Sequence, residues 1–148
     1  MLDLWQEMMG HHARLDPRFR PRPWPQARKV WATYVREDIL SSDRWCALVA
    51  TKEDKIVGQI LGVLRDPPPP FEPRTYGYVT DIVVDPRHRR RGIGRTLFYG
   101  LRDWMRQHGA DHLQLQVLSR NPGSQAFWRS VGCTDYTDVM WYSFDEEE

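Results

Sequence analysis

The sequence predicts an α/β fold: a mixed, mostly antiparallel central sheet with helices on both faces. Three observations lead there. Apolar runs of strand character at Trp45–Thr51 and Ile56–Leu64 flank the polar turn Lys52-Glu53-Asp54-Lys55 and read as an antiparallel hairpin. Tyr76–Val84 is a third run, rich in β-branched and aromatic residues, and it is followed by an amphipathic stretch and then an alternating one. A strand–helix–strand unit over residues 76–118 requires a right-handed crossover and a parallel strand pair.

The remaining elements follow in order. Leu2, Trp5, Met8, Met9 and His12 recur at helical spacing and predict a helix over residues 2–14. Residues 15–25 carry four prolines and cannot continue it. A second helix fits Gln26–Leu40, with Val30, Trp31, Tyr34, Val35 and Ile39 on one face, and Ser41, Ser42 and Asp43 break it. Five prolines make Asp66–Pro73 a stiff, exposed loop. Ile93, Leu97, Phe98, Leu101, Trp104 and Met105 form the apolar stripe of a helix running to about His108, with Gly109 at the C-cap. His112–Leu118 reads as a strand. Asn121-Pro122 is a helix start, asparagine at the N-cap and proline at the first helical position, and Gly132 closes that helix. Val139–Phe144 reads as a last strand and Asp145–Glu148 as a frayed acidic tail. No internal repeat is visible, and residues 1–148 suit one domain.

Composition bounds the function. With 41% hydrophobic and 28% charged residues, the chain has the balance of an ordinary soluble protein. No apolar run approaches the roughly 20 residues of a membrane span, and the first residues lack a signal-peptide pattern. A net charge of +1 argues against bulk attraction to nucleic acid or membrane. Cys46 and Cys133 cannot build a disulfide framework, so a cytoplasmic location is expected. No metal site is expected either: neither cysteine lies in a ligand pattern, and Gly109 separates His108 from His112.

The chemistry concentrates between Val79 and Arg95. A buried strand runs into a turn dense in arginine and glycine, and that turn opens a helix. Gly92 and Gly94 let a ligand approach the backbone. The amides of the first helical turn lack intrahelical partners, and Arg89, Arg90, Arg91 and Arg95 add fork-shaped donors. A diphosphate is the natural occupant. Taken alone, an Arg-rich run is also a solvated face, and an N-cap role accounts for Asn121.

The spacings together resemble a known family. Val84-Asp85-Pro86, then Arg89-x-x-Gly92-x-Gly94, looks like the acyl-coenzyme A signature of the GNAT family of N-acetyltransferases. Asn121, seven residues before Trp128 and eleven before Gly132, resembles that family's second signature. The resemblance implies a V-shaped cofactor cleft and acetyl-CoA as acyl donor. Ile82, Val83 and Val84 would offer strand backbone to the pantetheine arm. Arg89, Arg90, Arg91, Gly92, Ile93, Gly94, Arg95 and Thr96 would cradle the diphosphate. Asn121 would contact the pantetheine from the other side, and Trp128 would pack against the pantetheine or its sulfur. The backbone amide near Val84 would stabilise charge on the carbonyl oxygen while a neutral amine attacks.

The chain departs from the family pattern in four places. Trp128 stands where the family's acid is a tyrosine, and an indole is no proton source at neutral pH; Tyr99, Tyr136 and Tyr142 are substitutes without a distinguishing spacing. The usual glutamate base position holds Thr80, so the neighbouring Asp81 is the candidate base, with a water-relayed base elsewhere as the alternative. Ser124 and Cys133 replace alanine and phenylalanine, and Cys133 lacks a histidine partner for nucleophilic work. The family's first strand is missing, and the open edge makes a homodimer an expectation. The acceptor, a primary amine of a small molecule or peptide, stays open between a polyamine, an amino acid, an aminoglycoside and a protein N-terminus. The first two helices, the proline-rich loop and the last strands should line its site, with Trp24, Trp31, Phe71, Tyr76 and Trp141 as wall or core aromatics. A non-catalytic acyl-CoA sensor and a nucleic-acid binder using Arg87–Arg95 are the rival readings.

Overall fold

A computed structural model describes residues 1–144 of the chain. Its elements are α1 (Leu2–Leu15), α2 (Trp24–Tyr34) with a π-helical turn (Val35–Ile39), β1 (Trp45–Lys52), β2 (Lys55–Arg65), β3 (Tyr76–Val84), α3 (Ile93–Gln107), β4 (Leu113–Leu115) and α4 (Pro122–Ser130). The strands form one sheet in the order β1-β2-β3-β4. β2 pairs antiparallel with both β1 and β3, and β4 pairs parallel with β3. The mixed, mostly antiparallel sheet is therefore present as the sequence predicts.

Local chemistry explains the joints. Glu53 and Asp54 sit at φ 49° and 61°, so the two-residue turn between Lys52 and Lys55 twists with its strands. α3 and α4 end alike: Ala110 N–H bonds the Met105 carbonyl at 3.0 Å and Cys133 N–H bonds the Trp128 carbonyl at 3.0 Å, past Gly109 and Gly132 at positive φ.

The sheet separates two apolar layers. On one face, Trp5 and Trp31 stack with centroids 4.8 Å apart, and Ala27, Val35 and Ile39 join them around Leu61. On the other, Leu97, Phe98, Leu101, Met105 and Trp128 pack on Ile60, Leu64 and Val79. Covered on both sides, β2 is buried without interruption from Val57 to Leu64, which is why its sequence shows a run rather than an alternation. Gly62 and Gly77 let α3 sit close, because a Cβ at either would collide with the Met105 side chain.

Several expected elements differ. The second helix starts at Trp24, with Pro25 tolerated in its first turn, and its last turn is π-helical, closed by Leu40 N–H on the Val35 carbonyl at 2.8 Å. Val30 and Tyr34 are exposed rather than on its buried face. β4 shrinks from the expected 112–118 to three residues, because its neighbour β3 accepts it only at Gly77–Val79. Val139–Phe144 forms no strand: it follows α4 without entering the sheet formed by the described residues. The acidic tail falls outside the described residues.

The glycine contacts yield a stability test. Gly77→Val overfills the space held by Met105 and should destabilise the protein by about 1–3 kcal/mol in urea unfolding.

Candidate active site

The site begins with an irregularity in β3. Leu61 of β2 opposes Asp81 and Gly62 opposes Val79, which leaves Thr80 as an extra residue, a β-bulge. Before the bulge, Gly77 N–H donates to the His112 carbonyl at 2.9 Å, so Gly77 and Val79 direct their backbone groups to β4. Beyond it, Asp85 N–H donates to the Val57 carbonyl at 2.8 Å. That bond makes Gly58–Val84 a non-hydrogen-bonded pair, whose members turn their own N–H and C=O groups away from each other's strand. Ile82, opposite Ile60, behaves likewise. Because β4 pairs only as far as Val79, the backbone groups of Ile82 and Val84 face a gap where β3 and β4 part.

The gap leads into the arginine–glycine turn. Asp85 accepts the Arg87 N–H at 3.0 Å and starts a 3-10 turn with Pro86 at its first position, which is the local reason for the Val-Asp-Pro sequence. The Arg87 guanidinium holds the Asp85 carboxyl down at about 2. Arg90 and Gly92 take φ of 61° and 79°, and Gly92 is the N-cap of α3. A Cβ on Gly92 would meet nothing within 4 Å, so the backbone there is open to a ligand. Thr96 closes the first turn, its N–H and hydroxyl both 3.0 Å from the Gly92 carbonyl. The amides of Ile93, Gly94 and Arg95 precede the first intrahelical bond and form a donor set at the positive end of the helix.

The arginines divide. Arg89 Nε donates to the Val84 carbonyl at 3.2 Å, leaving the Val84 N–H as the group turned into the gap. Arg95 reaches Tyr99 of its own helix at 3.1 Å and Ser130 at 3.4 Å, the latter tying α3 to α4. Arg90 and Arg91 are exposed beside Gly92. Asn121 is buried and its Oδ1 accepts the Ser124 N–H at 3.1 Å, capping α4.

The opposite face of the sheet holds the titratable groups. The bulge puts Asp81 on the α1/α2 face beside Leu61, while Ile82 and Val84 lie on the α3 face. Burial pushes the Asp81 carboxyl up from its ordinary range, partly offset by the Thr80 hydroxyl 3.2 Å away. Tyr34 shares this neighbourhood: burial, then the charges of Asp38 and Asp81, raise its phenol. Gln59, opposite Val83 on the same face, is 0% exposed, and neither atom of its amide finds a partner among the described residues. The sequence reading missed Gln59 and Tyr34. A lone polar residue inside the apolar run Ile56–Leu64 was the available signal for the first.

Comparison with known proteins identifies the family. The profile of the acetyltransferase (GNAT) family matches residues 5–133. The chain belongs to the GNAT family. Human N-acetyltransferase 8 is 28% identical over 123 residues, 76% of this chain and 53% of that protein. The L-2,4-diaminobutyric acid acetyltransferase of Nocardia farcinica is 32% identical over 117 residues, 71% of this chain and 58% of that protein. The chain thus spans little more than half the length of these relatives. Among solved structures, a tetramutant of the BH1408 protein of Bacillus halodurans superposes with a TM-score of 0.82 at 22% identity, covering 97% of this chain and 91% of that one. The aminoglycoside N-acetyltransferase AAC(6')-Iy in complex with CoA does so with a TM-score of 0.67 at 22% identity, covering 81% and 89%. These two share the fold.

In this GNAT chain the aromatic residues near the site are otherwise engaged. Trp128 is 5% exposed and packs edge-on against Phe98 and Phe127, at 5.6 and 5.0 Å between centroids. Tyr99 takes the Arg102 guanidinium on its face at 4.6 Å, and Tyr136 and Tyr142 are exposed far along the chain beyond α4. Trp31 is core, Trp24 packs against that core, Tyr76 stacks on His112, and Phe71 and Trp141 are exposed. Burial raises the Cys133 thiol, away from the thiolate a nucleophile needs. No helix among the described residues is long and apolar enough to cross a membrane.

A buried amide without partners should cost about 1–3 kcal/mol. Gln59→Leu is therefore expected to raise stability by that order in urea unfolding; a destabilised variant would mean the amide is already satisfied.

Proposed function

We propose that the chain transfers the acetyl group of acetyl-CoA to a primary amine of a small molecule or peptide by direct attack in a ternary complex. The observation that carries this reading is the gap between β3 and β4, which receives the Val84 N–H and opens onto the unpartnered first turn of α3. The donor set fits an extended amide-bearing arm that ends in a diphosphate: strand backbone from Ile82 to Val84, then the amides and side chains from Arg89 to Thr96. Asn121 and Trp128 flank it from α4, Trp128 acting through the packing of Phe127 and Phe98. Acetyl-CoA supplies an activated thioester.

The chain's residues account for the other requirements. The Val84 N–H stabilises charge developing on the carbonyl oxygen under attack. Asp81, whose raised pKa suits a base working near neutral pH, takes the proton from the incoming ammonium, directly or through water. The relatives named for L-2,4-diaminobutyric acid and for aminoglycosides direct the first assays toward multiply charged amines. Coenzyme A release measured over a panel of these amines and an N-terminal peptide tests the proposal. The buried Trp128 at the expected acid position favours a second reading, a non-catalytic acyl-CoA sensor. Tight binding of acetyl-CoA by calorimetry with no turnover on any amine would select it.

Two variants separate the roles. Gly92→Val forces a β-branched residue into the left-handed region, costing about 1–2 kcal/mol, and fills the open space at the turn. Coenzyme A affinity should drop at least about tenfold, equivalent to 1.4 kcal/mol, with the far-UV spectrum retained; undiminished affinity would refute the diphosphate cradle.

Asp81→Asn removes the base, and turnover should fall by about 10²–10⁴-fold. Because the folded-state carboxyl titrates above its unfolded value, the stability associated with it is lost as pH rises through the folded pKa. The variant should therefore melt at or above the wild-type temperature at neutral pH, with the difference narrowing toward roughly pH 4. Full activity in the variant would remove Asp81 from the mechanism.

A further inference from the structure

The α1/α2 face of the sheet carries a base and an acid that do not pair. Arg65 ends β2, and its guanidinium lies 3.8 Å from the centre of the Tyr78 ring. Gly77 and Val79 look toward α3, so Tyr78 between them, and the arginine stacked on it, belong to the other side. Stacking fixes the guanidinium plane and leaves its N–H edge to bind. No carboxylate among the described residues takes that edge. The adjacent Asp66 is already occupied, by Arg44 at 3.0 Å and by the Thr75 hydroxyl at 2.8 Å.

Asp81 is the acid. Its carboxyl has the Thr80 hydroxyl at 3.2 Å and, among the described residues, no cation at ion-pair distance. Tyr34 lies near both groups. It stands edge-on to Trp45 at 6.1 Å, and its phenol is raised first by burial, then by Asp38 and Asp81, and lowered by Arg65. The register gives the spacing. Tyr78 is opposite Val63 and Asp81 opposite Leu61, so the two strand positions are about 7 Å apart. Val84, with its N–H turned into the gap, follows Asp81 on the side away from Tyr78.

We propose that the acceptor is a free α-amino acid, its carboxylate held by the fork of Arg65 over Tyr78 and its α-amine presented at Asp81. Hydrogen bonds of about 2.8 Å at each end let one small zwitterion bridge the two groups. Along β3 the order becomes carboxylate receptor, proton acceptor and acyl site. The α-nitrogen bonds the acetyl carbon, the carbon–sulfur bond breaks, the proton goes to Asp81 and coenzyme A leaves as the thiolate. A polyamine offers Arg65 no negative charge, and a peptide N-terminus carries an amide where the carboxylate belongs. This assignment rests on the acyl-transfer reading above.

Coenzyme A release is measured for the L-amino acids, each against its carboxamide, with putrescine and an N-terminal peptide alongside. Free acids should exceed their carboxamides in kcat/KM by about 10–100-fold, the loss expected for a charge-assisted hydrogen-bonded pair. Arg65→Met keeps a flexible chain over Tyr78 and removes the charge. The KM for free acids should rise by the same factor, with the effect in KM rather than kcat, and the ratio of acid to carboxamide should fall toward one. Arg65→Lys should recover part of the preference, as a point charge without the fork. Binding of coenzyme A by calorimetry shows that each variant is folded. Turnover of putrescine, the carboxamides or the peptide at or above the free acids overturns the proposal and leaves acyl transfer standing. A preference for free acids that survives Arg65→Met also overturns it. Tight coenzyme A binding with no turnover of any amine overturns both readings.

Discussion

One extra residue in β3 governs the arrangement of the site. Without the bulge at Thr80, strict alternation from Gly77 would send the backbone groups of Asp81 and Val83 toward β4 and those of Ile82 and Val84 into β2. The bulge reverses that parity, so the Val84 N–H faces the gap while the ladder to β2 resumes through Asp85 and Val57. The same insertion turns Asp81 to the α1/α2 face, where burial raises its carboxyl. Hydrogen-bond parity and side-chain facing are coupled in a strand, and one residue resets both.

The gap also needs β3 and β4 to separate. They are held together at Gly77–Val79, where the absent side chains of Gly62 and Gly77 admit Met105 and seat α3 on the sheet. The Arg95 bonds to Ser130 then fix the first turn of α3 to the end of α4. The donor amides are thus held by core packing at one end of the helix and by a side-chain clamp at the other. Trp128 belongs to this support, with its ring against Phe98 of α3.

The sheet divides labour between its faces. Backbone donors and arginines gather at the α3 end, where the helix terminus and the charge would favour a polyanion. The Asp81 carboxyl lies on the α1/α2 face, where burial raises its pKa and makes its protonation state sensitive to a neighbouring cation.

Much of this was legible in the sequence because it is local. Helix spacing, the Asp85-Pro86 turn, the Asn121 cap, the hairpin turn at Glu53-Asp54 and the glycines ending α3 and α4 depend on residues a few positions apart, and each appears where the sequence puts it. The Val84–Gly94 and Asn121–Gly132 spacings were enough to identify the family. What only the tertiary structure decided is non-local. Whether Val139–Phe144 is a strand depends on a partner edge, and a pattern of apolar residues carries no information about whether one is in reach. The same holds for the three-residue length of β4 and for the burial of Gln59. The facing of Asp81 turned on the register between β2 and β3, and register is a relation between two segments that neither one specifies alone.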